Sequence, residues 1–195
     1  MAHNQMTERE RNLQINGLQP WGSRADWDTM KKAKLWGQEF VEKLEADDSP
    51  GWGVLIGVPG SGKTHLLCGI ANALIDRGVP TIFVYTTALL NALKGTFNGR
   101  DNETNEFLEA LTEVQVLMLD DLGAEYRTGW SNSILEFVIN ARYKDREARP
   151  TVIATNLSKQ ALMSQYPRIA SRVLERGLSV VHMVTVGDYR LERRT

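Results

Sequence analysis

A single cysteine, Cys68, stands among 195 residues. That excludes an internal disulfide framework and suits a reducing compartment. The residue lies in the apolar stretch Leu66-Leu67-Cys68-Gly69-Ile70 and reads as a small buried hydrophobe. No apolar run approaches the roughly 20 residues of a membrane-spanning helix. The polar N-terminus, Met1-Ala2-His3-Asn4-Gln5, lacks the apolar region of a signal peptide, so a cytoplasmic protein is expected. An excess of either charge is missing too: 23 Lys and Arg face 24 Asp and Glu, for a net charge of -1. Any contact with nucleic acid must therefore come from a local basic patch rather than bulk charge.

What is present is ordinary for a globular chain, 42% hydrophobic and 24% charged. The length fits one domain that hides roughly 70% of its unfolded surface. Residues 1–25 are polar and mixed, a lead-in segment with turns at Asn16-Gly17 and Pro20-Trp21-Gly22-Ser23. A helical period runs from Asp26 to about Ala46 and stops at Asp47-Asp48-Ser49-Pro50-Gly51. The chain then alternates. Strands are predicted at Trp52–Ile56, Thr81–Tyr85, Val114–Leu119, Thr151–Ala154 and Ser179–Val184. Helices are predicted at Lys63–Arg77, Thr87–Leu93, Glu103–Leu111, Ser131–Glu147, Ser158–Gln165 and Arg168–Arg176. Apolar strands alternating with helices imply a parallel sheet covered on both faces. The expected division is 1–49 as lead-in and helix, and 50–195 as the α/β domain.

Gly57-Val58-Pro59-Gly60-Ser61-Gly62-Lys63-Thr64 satisfies G-x-x-x-x-G-K-[ST], between a predicted buried strand and an amphipathic helix. Glycines let successive N–H groups point inward at the β- and γ-phosphates of ATP, and the helix N-terminus adds partial positive charge. Lys63 is placed as a point charge on the phosphate oxygens, and Thr64 offers a hydroxyl to Mg²⁺. His65, one residue on, is either a first-turn helix residue or a ligand contact.

The apolar run Val114–Leu119 ends in Asp120-Asp121. Asp120 stands where a Walker-B acid serves Mg²⁺, and Asp121 where a base polarises the attacking water. Asp121 is one methylene shorter than the glutamate usual there, which supports binding better than fast turnover; Glu125 is a conceivable substitute base or a loop residue. Thr151–Asn156 is a strand ending in an amide. Asn156 would reach the γ-phosphate or the water, or simply precede a helix start with Ser158 as a cap.

Gly57–Leu66, Leu117–Glu125 (Leu-Met-Leu-Asp-Asp-Leu-Gly-Ala-Glu) and Ile153–Asn156 together resemble the DnaC/DnaI-type bacterial helicase loaders of the AAA+ class, with the IstB transposition ATPases as kin. The resemblance implies a three-layer P-loop fold with a sheet of order 5-1-4-3-2; because little sequence follows Gly187–Arg190, a separate helical lid is expected to be absent or reduced. It implies ATP-dependent self-association with ATP between subunits, assembly on single-stranded DNA, and a hexameric replicative helicase as partner. Arg168–Arg176 resembles the arginine box that serves a neighbour's ATP. Arg172 and Arg176, one turn apart on the predicted helix, would share a face. Arg190, in Gly187-Asp188-Tyr189-Arg190, resembles a second phosphate sensor. Lys94 and Phe97 resemble the loop that faces DNA, a cation for phosphate and an aromatic for stacking. Helicase loaders of this group carry a separate N-terminal domain; only about 50 residues precede the cradle strand here, so the helicase rests on kinship. A transposition ATPase and a nucleotide-gated assembly module with little turnover remain the alternative readings.

Overall fold

The computed structural model describes residues 5–19, 22–96, 101–185 and 187–192. After short 3₁₀ turns at Glu10–Asn12 and Ile15–Gly17, the elements run α1 (Arg24–Glu45), β1 (Trp52–Gly57), α2 (Lys63–Asp76), β2 (Thr81–Tyr85), α3 (Thr86–Thr96), α4 (Asp101–Glu113) and β3 (Val116–Leu122). They continue with α5 (Gly129–Lys144), β4 (Thr151–Thr155), α6 (Lys159–Gln165), α7 (Pro167–Val173), β5 (Ser179–Val184) and α8 (Tyr189–Glu192). The five strands pair in parallel in the order β2-β3-β4-β1-β5. From the other edge that is 5-1-4-3-2, the AAA+ order expected. No helix among the described residues is long and apolar enough to cross a membrane.

Alternation along the strands builds two apolar layers. Leu55, Phe83, Met118, Val152 and Ala154 point into a core shared with α1, α2 and the N-terminal segment. Trp52, Val54, Ile56, Val84, Leu117, Leu119 and Ile153 point the other way, into a core closed by α3, α5, α6 and α7. Trp36 of α1 lies across β1 at Gly53, where a Cβ would come within 2.2 Å of its ring, so this position has room only for glycine.

Side-chain capping explains where α1, α5 and α6 begin. Ser23 and Asp26 form a reciprocal capping box on α1, and Thr128 with Ser131 does the same for α5. Ser158 caps α6 by accepting from the Ala161 N–H at 3.1 Å. α2 is different: it starts on Gly62, at φ 90°, with no side-chain cap.

Two elements depart from expectation. β3 runs through both acids to Leu122, with a shift of register against β4 between Leu119 and Leu122. A bulge lets the strand continue while re-aiming the side chains inside it. α7 stops at Val173, three residues short of Arg176. The chain has to turn into β5 here: Gly177 takes φ 87°, and the Glu175 carboxylate accepts from the Tyr143 hydroxyl. Arg172 and Arg176 therefore do not share a helix face.

Candidate nucleotide-binding site

The loop between β1 and α2 turns through Gly60 (φ 74°) and Gly62 (φ 90°), a region costly for residues with a Cβ. The start of α2 has no side-chain cap, so its first amides remain available as donors. Lys63 lies inside the loop, 5% exposed. Its Nζ donates to the Gly57 and Val58 carbonyls at 2.9 and 2.8 Å and to Ser61 Oγ at 3.3 Å. This fixes a cation inside the loop, at the start of a helix, an arrangement suited to a polyphosphate.

Asp120 is wholly buried. Its Oδ1 accepts the Asp121 N–H at 2.8 Å, while Oδ2 is buried without a hydrogen bond of ordinary geometry. Burial pushes this carboxyl up to about 6; Thr64 and Lys63, both beside it, pull the other way. A buried carboxylate beside the Thr64 hydroxyl is a suitable partner for a hard cation. Among the described residues no group of three His, Cys, Asp or Glu side chains is placed to hold a metal by itself.

Asp121 takes φ 54°, which for a residue other than glycine persists only where its surroundings impose it. Its Oδ1 accepts from Asn156 Nδ2 at 3.2 Å. The two candidate hydrolysis residues, from the ends of β3 and β4, are thus brought together. Glu125 is engaged elsewhere: Oε2 accepts the Gly123 N–H at 2.8 Å and Oε1 the Tyr166 hydroxyl at 2.6 Å. With both oxygens taken it is poorly placed to act as a base.

Pro59, Gly60, Gly62, Lys63, Thr64, His65, Asp121 and Asn156 line one cavity of about 780 Å³. Its other wall was not anticipated: Thr7, Arg9, Glu10, Leu13, Gly17, Leu18 and Gln19 of the lead-in segment, with Tyr189. Asn72 of α2 holds that segment by donating to the Glu10 and Leu13 carbonyls at 2.9 and 2.8 Å. At Gly69 a Cβ would come within 2.6 Å of the Ile15 nitrogen. His65 Nε2 lies 3.1 Å from the Gln14 carbonyl, and burial lowers its pKa. His65 is therefore a tether for the segment as well as part of the cavity wall. The sequence clue was available in Leu13, Ile15 and Leu18, apolar residues inside an otherwise polar stretch.

Arg172 and Arg176 are not brought to this cavity. Arg172 lies over the Tyr143 ring (5.6 Å) and donates to the Arg168 carbonyl at 2.7 Å. Tyr143 meets Trp52, the first residue of β1, edge-on. Arg176 lines a second cavity of about 600 Å³ with Lys43, Arg146, Glu175 and Ser179. Both arginines thus sit by the N-terminal ends of the strands, whereas the cradle is at the C-terminal ends. Lys94 Nζ lies over the Trp130 ring at 5.4 Å. Phe97 and the side chain of Arg190 lie outside the described residues.

Against known proteins, residues 23–195 match the family model described as IstB-like ATP binding protein. The "Replicative helicase loader DnaC" of Buchnera aphidicola subsp. Acyrthosiphon pisum is 30% identical over 148 residues, 75% of this chain and 56% of that protein. The chain thus spans about half the length of the curated relatives it matches. A crystal structure of the DnaC helicase loader is similar with a TM-score of 0.75 at 24% identity, covering 91% of this chain and 99% of that one, which shows the fold. A crystal structure of DnaI has a TM-score of 0.72 at 26% identity, covering 94% of each chain. An uncapped cradle, a buried lysine beneath it and two acids at the end of β3 agree with the match over nearly the whole chain: it belongs to the IstB-like ATP-binding protein family.

Proposed function

We propose that this chain hydrolyses ATP in a head-to-tail assembly and, in that form, loads a replicative helicase onto single-stranded DNA. One observation carries the reading: the cradle and acids, one half of the proposed hydrolytic site, lie at the C-terminal ends of the strands, and Arg172 and Arg176, the other half, lie at the N-terminal ends. Neither half is complete, and a second copy supplies what the first lacks. Gly57–Thr64 bind the phosphates. The walls formed by Leu13, Leu18 and Tyr189 accommodate the base. Thr64 and Asp120 would hold Mg²⁺, which would neutralise charge on the phosphate oxygens; the buried Asp120 carboxylate beside Thr64 fits that role. Asp121 takes a proton from the attacking water, Asn156 orients Asp121 and the water, and an arginine of the neighbour stabilises charge on the transferring phosphoryl group.

Helicase loading is carried over from the relatives that bear that name. DNA contact is supported by one face: Lys94 lies over Trp130, and Tyr126, four residues earlier, is 86% exposed. A cation beside aromatic rings offers phosphate pairing and base stacking together. A second reading, a nucleotide-gated module with little turnover, is favoured by the short Asp121 carboxylate, already engaged by Asn156.

The test is steady-state phosphate release from ATP across protein concentrations, with and without single-stranded DNA. Turnover rising faster than protein concentration, and again with DNA, is expected. Nucleotide binding without turnover under any condition would favour the gated module. Pull-downs with replicative helicase and with transposase separate the loader from its transposition kin.

A further inference from the structure

Leu122–Glu125, the stretch that follows Asp121, is pinned from several directions. Thr155 Oγ1 donates to the Leu122 carbonyl at 2.6 Å. Gly123 takes φ 93°, and a Cβ there would come within 2.5 Å of Leu157. The Ala124 N–H turns back to the Asp121 carbonyl at 3.0 Å. These restraints come from β4 and from the stretch itself. One further restraint comes from outside the sheet: Glu125 bridges the Gly123 N–H and the Tyr166 hydroxyl. Tyr166 is 3% exposed and lies at the junction of α6 and α7, with the Arg127 guanidinium 5.5 Å from its ring centre. The loop therefore holds Tyr166 at two points, one by hydrogen bond and one by stacking.

Asp121 needs such support. Its left-handed backbone is unfavourable for a residue with a Cβ and persists only where neighbouring structure imposes it. In any relaxed alternative its carboxylate would leave Asn156. We propose that Tyr166 is a positioning residue for ATP hydrolysis, acting through Glu125 to hold the bulged end of β3 that presents Asp121. The inference rests on the hydrolytic reading above. It assigns the Tyr166 hydroxyl no contact with nucleotide; burial and the Glu125 bond raise its pKa, so it remains a donor.

Tyr166→Phe keeps the ring, its packing and the Arg127 contact, and removes one O–H. The expected result is a kcat lower by about tenfold, with nucleotide Kd within about twofold, because the cradle is untouched. Amide exchange at Gly123 should quicken in the same variant. Glu125→Ala should show the same loss, and Glu125→Gln, whose oxygen can accept from the Gly123 N–H while its NH₂ donates to the Tyr166 oxygen, should recover to within about threefold of wild type. The double variant Tyr166→Phe/Glu125→Ala should be no worse than either single, as for groups acting as one unit. A Tyr166→Phe protein that turns over at the wild-type rate overturns this proposal alone. So does a double variant whose losses multiply. A wild-type protein that binds ATP but never turns it over overturns the hydrolytic reading, and this one with it.

Discussion

His182, on β5, shows how one side chain records pH in the fold. Its ring lies 5.1 Å from Trp36, and its Nε2 is buried without a hydrogen-bond partner. Burial lowers its pKa from the ordinary 6.5, with Glu39 pulling weakly the other way. The unfolded chain therefore takes up a proton before the folded one as pH falls, and stability is lost below about 6.5. His182→Phe keeps an aromatic against Trp36 and removes the titration. Between pH 7.5 and 5.5 the variant should lose less melting temperature than wild type. Equal losses would place the pH sensitivity elsewhere, with His65 the first suspect, since burial lowers its pKa too.

Among the elements, α5 owes its place to a residue the motifs do not mention. Arg142 is fully buried, and all five of its N–H donors are used. Nε donates to Thr151 Oγ1, and the two terminal nitrogens to the carbonyls of Leu111, Val114, Gln115 and Pro150, at 2.7–3.2 Å. It ties the exit of α4 and the entries of β3 and β4 to α5. Arg142→Met would leave those carbonyls buried and unpaired, a loss of about 3–5 kcal/mol, read from the midpoint of chemical denaturation. Arg142→Lys should recover only part, because an ammonium cannot fan its donors over five acceptors.

The N-terminal segment makes the complementary case. Asn72→Ala removes two hydrogen bonds that hold it, each worth about 1 kcal/mol. Nucleotide Kd should rise about three- to tenfold while the melting temperature stays within a few degrees. An unchanged Kd would show that Thr7–Gln19 do not form a working wall. These two examples mark what the sequence made legible. Strands such as Thr81–Tyr85 and the Gly57–Thr64 cradle are written in contiguous residues, so apolar runs and glycine spacing reveal them. The wall formed by Leu13 and Leu18, and the five acceptors of Arg142, exist only after residues tens of positions apart meet, which no local pattern encodes. The early end of α7 was hidden for the same reason: Glu175 leaves the helix for Tyr143, on another element.

For the whole molecule, the opposed placement of cradle and arginines makes a mixing test decisive. Asp121→Ala and Arg172→Ala should each bind nucleotide and each lack turnover. In an equal mixture, about one junction in four pairs an intact cradle with an intact arginine when contacts run head to tail. Phosphate release near a quarter of the wild-type rate is expected. A site complete within one chain would give none, and Arg172→Ala hydrolysing normally by itself would remove that residue from the assignment, leaving Arg176.

Such an arrangement also gives any open assembly two unlike ends. A row of subunits that does not close has one fewer working site than it has members. At one end stands a subunit whose arginines serve no one, and at the other a subunit whose cradle faces no arginine. In the proposed assembly the second would keep its ATP while the others spent theirs. That end would act as a cap, the last to loosen and the point at which growth, closure or a partner is decided.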